Sequence, residues 1–306
     1  MNQTKVVEIL LLGFQNPKSL NSLLIVLFLV LYILTLVGNL LIIILVAKYP
    51  SLKSPMYFFL TQLSLCDILL TTNISPNLLH VLVNGGSTIS LAGCITQFYF
   101  FCVSEATECF LLTMMSYDRY LAICRPLHYT SIMSFRLCFQ LILSSWLLAG
   151  IPTFTFAPMV SVIQFCGRVI DHYFCDFAPL LELSCTKHTV IKLADFVFGI
   201  PFVAAHVVFI AFTYISILIT ILKITSSTGR QKAFSTCSSH LIVVCSFYGT
   251  LIAVYLAPSK GESFNTNKVL SLLYTALCPF FNPLIYSLRN QDIKSLLSKF
   301  IVIHKT

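Results

Sequence analysis

The sequence predicts an all-α membrane protein, a seven-transmembrane helix bundle closed by a short amphipathic helix. Three observations predict it: scarce charge, seven apolar runs of spanning length, and basic residues gathered on alternate loops. Only 10% of the 306 residues are charged and 57% are hydrophobic, whereas soluble domains carry charge on about a quarter of their residues. So little charge cannot cover a surface of this size in water, so lipid faces the outside.

A spanning helix takes about 20 mainly apolar residues. The runs lie near 22–47, 56–81, 91–124, 137–160, 193–222, 234–257 and 267–288. Residues 1–21 precede them and 289–306 follow, so 1–306 reads as one seven-helix membrane domain. With the N-terminus outside, twelve of the 19 Lys and Arg, from Lys48 and Lys53 to Lys299 and Lys305, fall on the inner side. The remaining bases, Lys268 among them, fall outside among acids. This asymmetry predicts a multi-pass plasma-membrane protein with an extracellular N-terminus.

The net charge of +8 sits in short loops and forms no basic domain, so no nucleic-acid partner is expected. No CxxC pair appears, which argues against a zinc site. The N-terminal MNQTKVVEILLLGF lacks the layout of a cleavable signal peptide. Asn2-Gln3-Thr4 is a candidate glycosylation site. Asn73-Ile74-Ser75 is the same pattern inside the second run, beyond a transferase's reach. After the last run, Ile293, Leu296, Leu297, Phe300 and Ile301 recur at helical spacing between Lys294 and Lys299, as in a helix lying on the inner leaflet.

The third run carries Glu105, Glu108, Asp118 and Arg119. Charges in the bilayer face the bundle interior and usually act there. Residues 101, 105, 108, 112, 115 and 119 share one helical stripe. Cys94 to Arg119 spans about 37 Å of helix, so they lie at opposite membrane faces, with Glu105 and Glu108 between. Four outer cysteines, Cys94, Cys166, Cys175 and Cys185, permit three pairings.

MSYDRYLAICRPLHY (115–129) resembles the odorant receptor branch of the rhodopsin-like G-protein-coupled receptors. So do Leu12-Gly13-Phe14, Gly38-Asn39, PMYFFLTQLSLCD (55–67), HYFCD (172–176), KAFSTCSSHL (232–241), Phe247-Tyr248-Gly249 and PFFNPLIYSLRN (279–290), spread over nearly the whole chain. The resemblance implies a receptor, not an enzyme. It implies that Asp118, Arg119 and Tyr120, with Tyr214, Asn282, Pro283 and Tyr286, form the switch that engages a heterotrimeric G protein of the olfactory stimulatory type, raising cyclic AMP. It also implies disulfides Cys94–Cys175 and Cys166–Cys185, and a core in which Asp67 faces Glu108 and Asn282. Two carboxylates there need a shared proton or a sodium ion between them. The implied ligand is a small, mostly apolar volatile, with Phe101, Cys102, Glu105, Ala106, His206, Tyr248, Ile252 and Tyr255 as candidate contacts. Glu105 reads either as a hydrogen-bonded neutral acid, His206 being one potential partner, or as a ligand contact; if ionised, it suits an amine. Cys102 and Cys109 also present thiols seven residues apart.

Mid-membrane acids are also a feature of ion-coupled transporters. An odd helix number and the lack of an inverted repeat weigh against one. A receptor of the same fold for a metabolite or amine outside the nose shares all these motifs.

Overall fold

The computed structural model describes residues 7–161, 163–185, 189–256, 263–290 and 293–296. The elements run β1 (Glu8–Leu11), α1 (Lys18–Lys48), α2 (Pro55–Asn84), β2 (Ser87–Ser90), α3 (Leu91–Cys124), α4 (Pro126–Ile132), α5 (Phe135–Ser161), β3 (Val169–Ile170), α6 (Phe177–Glu182), α7 (Thr189–Lys223), α8 (Ser227–Leu256), α9 (Ser263–Leu272) and α10 (Cys278–Arg289). Seven of the described segments are long and apolar enough to cross a bilayer. They are α1, α2, α3, α5, α7, α8 and, as one interrupted helix, α9 with α10.

Local chemistry sets the ends. Pro55 opens α2 at the first turn, where its missing N–H costs nothing, and Gly85 closes it in the left-handed conformation at φ 70°. The Ser90 side chain caps α3 by accepting from the Gly93 N–H at 3.1 Å. A π turn at Leu273–Leu277 separates α9 from α10, just ahead of Pro279.

Helix α3 runs through the middle, touching α2, α4, α5, α7 and α8. Large apolar side chains such as Leu23, Val26, Phe198, Val208, Phe212 and Leu222 stay exposed on the outer helices. Apolar area this extensive would be a liability in water and is the solvated face in lipid. The turn at 293–296 buries Ile293 and Leu296 against the bundle. Leu297, Phe300 and Ile301 of the expected amphipathic helix, and the Asn2 sequon, lie outside the described residues.

The upper end of the bundle carries a lid. Strand β1 pairs antiparallel with β2, Glu8 opposite Ser90, and parallel with β3, Leu10 opposite Val169. Gly13 follows at φ 63°, where a Cβ would sit 2.1 Å from a Val81 methyl. Only glycine fits that bend. Lys268 of α9 departs from its expected place among exposed loop charges: it is 1% exposed. Its Nζ donates to the Gly13 carbonyl at 2.9 Å and to Asp171 at 2.5 Å. The charge is thus buried with two acceptors, which composition alone could not foresee.

Candidate functional site

The lower end holds the expected switch residues. Asp118 is fully buried. Arg119 donates to one of its oxygens through Nε at 2.9 Å and through Nη2 as well. The Tyr129 hydroxyl of α4 donates to the other at 2.7 Å. Burial, then the Asp118 carboxylate, push the Tyr129 phenol above its ordinary range and keep it a donor. Tyr120 lies apart from this pair, stacked on Tyr117 at 6.2 Å. Tyr214 of α7 shares a 2.6 Å hydrogen bond with His240 Nδ1 of α8. The Tyr286 hydroxyl is buried near Tyr214 and Arg119 but bonds to neither among the described residues. Tyr129 and His240 are not among the residues the motifs single out, although they stand inside CRPLHY and KAFSTCSSHL.

At mid-membrane, Asn282 Nδ2 donates to both Asp67 oxygens, at 3.1 and 3.2 Å, and reaches Glu108 Oε1 at 3.5 Å. The structure therefore brings together all three residues that the sequence placed there. Pro283 lacks an N–H, so the Pro279 carbonyl one turn earlier has no helical donor. Asn39 Nδ2 of α1 takes that carbonyl at 3.1 Å. Asn282, although next to Pro283, spends its amide on the acids. Gly38 explains the approach, since a Cβ there would stand 3.1 Å from the Pro283 ring.

Above the acids, one side of α3 is sealed and the other is not. Val103, Ser104, Thr107 and Glu108 are buried, whereas Phe101, Cys102, Glu105 and Ala106 keep part of their surface. Because α3 is central, that surface borders space inside the bundle. Both Glu105 oxygens are nonetheless sealed from solvent and have no hydrogen-bond partner among the described residues. His206 is not its partner: Nδ1 bonds the Phe202 carbonyl at 2.7 Å, and its ring lies 5.0 Å from that of Phe110. Tyr248 of α8 is buried, its hydroxyl beside Cys109 and Thr113 of α3. Ile252, one turn further up, is exposed. The Tyr255 side chain lies outside the described residues. Cys102 and Cys109 belong to no metal-binding group among the described residues.

The lid forms the roof. Cys94–Cys175 ties it to the top of α3, and Cys166–Cys185 ties the loop to itself. The Cys175 N–H donates to Gln97 Oε1 at 2.9 Å. Gln97 also exchanges hydrogen bonds with Asn73, at 2.8 and 2.9 Å, so the amide of the second sequon is used inside the bundle. Phe174 lies 5.3 Å from Phe101, and the Tyr173 hydroxyl reaches Thr275 at 3.1 Å. His172 is buried without a partner for either nitrogen among the described residues. Burial and the neighbouring Lys268 charge push its imidazole down to about 3.

The family model for "Olfactory receptor" matches residues 28–304. Olfactory receptor 5P55 of Mus musculus is 43% identical over 98% of this chain and 97% of its own. Olfactory receptor 10A7 of Homo sapiens is also 43% identical, over 98% of this chain and 95% of its own. Among solved structures, squid rhodopsin superposes with a TM-score of 0.73 at 17% identity, covering 96% of this chain and 88% of that one, which is a likeness of fold. These relatives are receptors, not enzymes, and they imply a small-molecule ligand and a G-protein partner in general terms. A multi-pass bundle with a sealed aspartate–arginine pair below, an acid cluster at mid-height and a disulfide-anchored roof above is thus matched along nearly its full length, and the chain belongs to the olfactory receptor family.

Proposed function

We propose that this chain is an odorant receptor that binds a small, mostly apolar volatile between α3, α7 and α8 and activates the olfactory stimulatory heterotrimeric G protein, raising cyclic AMP. One observation carries the reading. The partly open stripe at Phe101–Ala106 and the closed Asp118–Arg119 pair stand on the same helix, α3. A ligand that favours the bundle with α8 swung away from Arg119 shifts the population toward that form. The Tyr214–His240 bond joins α7 to α8 near Arg119 and must be remade in such a movement. The upper end, with β1 and the lid, faces outside the plasma membrane, as the basic bias toward the lower end favours, and Asn2 is then open to glycosylation.

Asp67, Glu108 and Asn282 are the residues that would hold a sodium ion or share a proton. Carboxylate oxygens from two helices suit a hard cation, and the Asn282 amide alone cannot balance two ionised acids. A bound cation would supply charge balance and hold α2, α3 and α10 together in the resting form. Dependence of agonist potency on sodium, lost in Glu108→Gln, would support the ion; indifference to sodium in both would leave the proton.

A cyclic AMP screen of cells expressing the chain against a broad volatile panel tests the whole reading. At least one volatile should raise cyclic AMP, and Arg119→Ala at equal surface abundance should abolish the response. A volatile taken up by cells without any cyclic AMP signal would refute it in favour of transport.

A further inference from the structure

We propose that the space beside the partly open face of α3 recognises small protonated amines, with Glu105 as counter-charge and Phe101, backed by the buried Phe174 and Tyr274, as its aromatic neighbour; this rests on the odorant-receptor reading above. Four observations lead there. The Glu105 carboxylate has no solvent contact at its oxygens and no hydrogen-bond partner among the described residues. The partner that the sequence offered, His206, is engaged by the Phe202 carbonyl. Phe101 stands one helical turn above Glu105, its ring 5.3 Å from that of Phe174 and 5.9 Å from that of Tyr274. Asp176, which caps α6 in the lid, follows Phe174 by two residues.

The aromatic trio is therefore flanked along the chain by an acid in the roof, beside Phe174, and by Glu105, one turn below Phe101. An ionised carboxylate in this medium needs a partner, and no described Lys, Arg or His provides one. A ligand ammonium supplies the missing charge and N–H donors, while the partly open Phe101 ring attracts its cationic head. The apolar remainder of the ligand meets Ala106 and the partly open face of α3. A neutral alcohol satisfies the acid less well and gains nothing from the ring faces as a cation.

The test pairs butylamine, hexylamine and 2-phenylethylamine with the alcohols of the same skeletons, in cyclic AMP dose–response curves on cells expressing the full chain. Amines should exceed their alcohols in potency by about tenfold or more, the scale of one charge-assisted hydrogen bond. Glu105→Gln should weaken amines at least about tenfold more than alcohols, and Glu105→Asp should restore part of the difference. Phe101→Leu should cost amines a smaller, selective factor. Surface abundance and any alcohol response serve as folding controls. Equal loss for both classes, or activation by neutral volatiles alone, overturns the amine proposal and leaves the receptor reading intact. Silence toward this set and the broad panel, with the chain at the cell surface, overturns both.

Discussion

Replacing Lys268 with Met keeps the length and apolar stem of the side chain and removes its charge. Two acceptors lose their donor, the Gly13 carbonyl at 2.9 Å and Asp171 at 2.5 Å. Their losses differ. Asp171 is 40% exposed on its side chain and recovers water, so its share falls toward the surface value, under about 1 kcal/mol. Gly13 is buried, and an unsatisfied buried acceptor costs about 1–3 kcal/mol. The sum is about 1–4 kcal/mol, assigned to closure of the lid rather than to the helices. Hydrogen exchange at residues 8–13 and 169–175 in nanodiscs should then accelerate by about fivefold or more. Exchange in the lower half of α3 should stay as it was. Combining Lys268→Met with Asp171→Asn should cost less than the two single losses added, as coupled partners do. Unchanged lid exchange, or strict additivity, would refute the view that Lys268 holds the lid shut.

Three further outcomes follow from the same geometry. His172 is neutral in the closed lid, pushed down to about 3, and returns to about 6.5 when exposed. The open form binds the extra proton between these values, so closure weakens as pH falls below about 6.5. Acidification to pH 5.5 should cost about 1.4 kcal/mol in corrected lid exchange, and His172→Phe should flatten that dependence. Asn39→Leu strands the Pro279 carbonyl and should lower stability by about 1–3 kcal/mol, read from thermal unfolding of the purified receptor. Tyr129→Phe takes one hydrogen bond from Asp118; basal cyclic AMP should rise severalfold at equal surface abundance, and an unchanged baseline would deny Tyr129 a part in the lock.

Helix number and switch motifs were legible because lipid makes a long apolar run nearly unambiguous, and because Asp118, Arg119, Asn282 and Pro283 stand in fixed local patterns. Asp67, Glu108 and Asn282 also come together, as the family resemblance implies. What stayed hidden depends on contacts far apart in sequence. A lysine sealed under a lid looks the same in sequence as a loop lysine until Gly13 and Asp171 are placed around it. Asn39 and Asn282 are chemically alike, and only the distance to Pro279 shows which one replaces the missing helical bond. The cavity contacts were the least legible. Glu105 and His206 face the same space in principle, yet a backbone carbonyl holds the histidine and leaves the acid alone.

The Gly13–Lys268 bond also bears on how the molecule is made. Its partners are 255 residues apart, one ahead of the first span and the other in the last. During synthesis β1 emerges first, but β2, β3 and finally Lys268 appear only as later spans are inserted. Strand β1 must therefore wait, unpaired, for nearly the whole chain. Such long-range closure is slow and comes last. A closed lid is thus a record that the seventh span has reached its place, and a chain halted earlier would present an open strand edge to whatever inspects unfinished proteins.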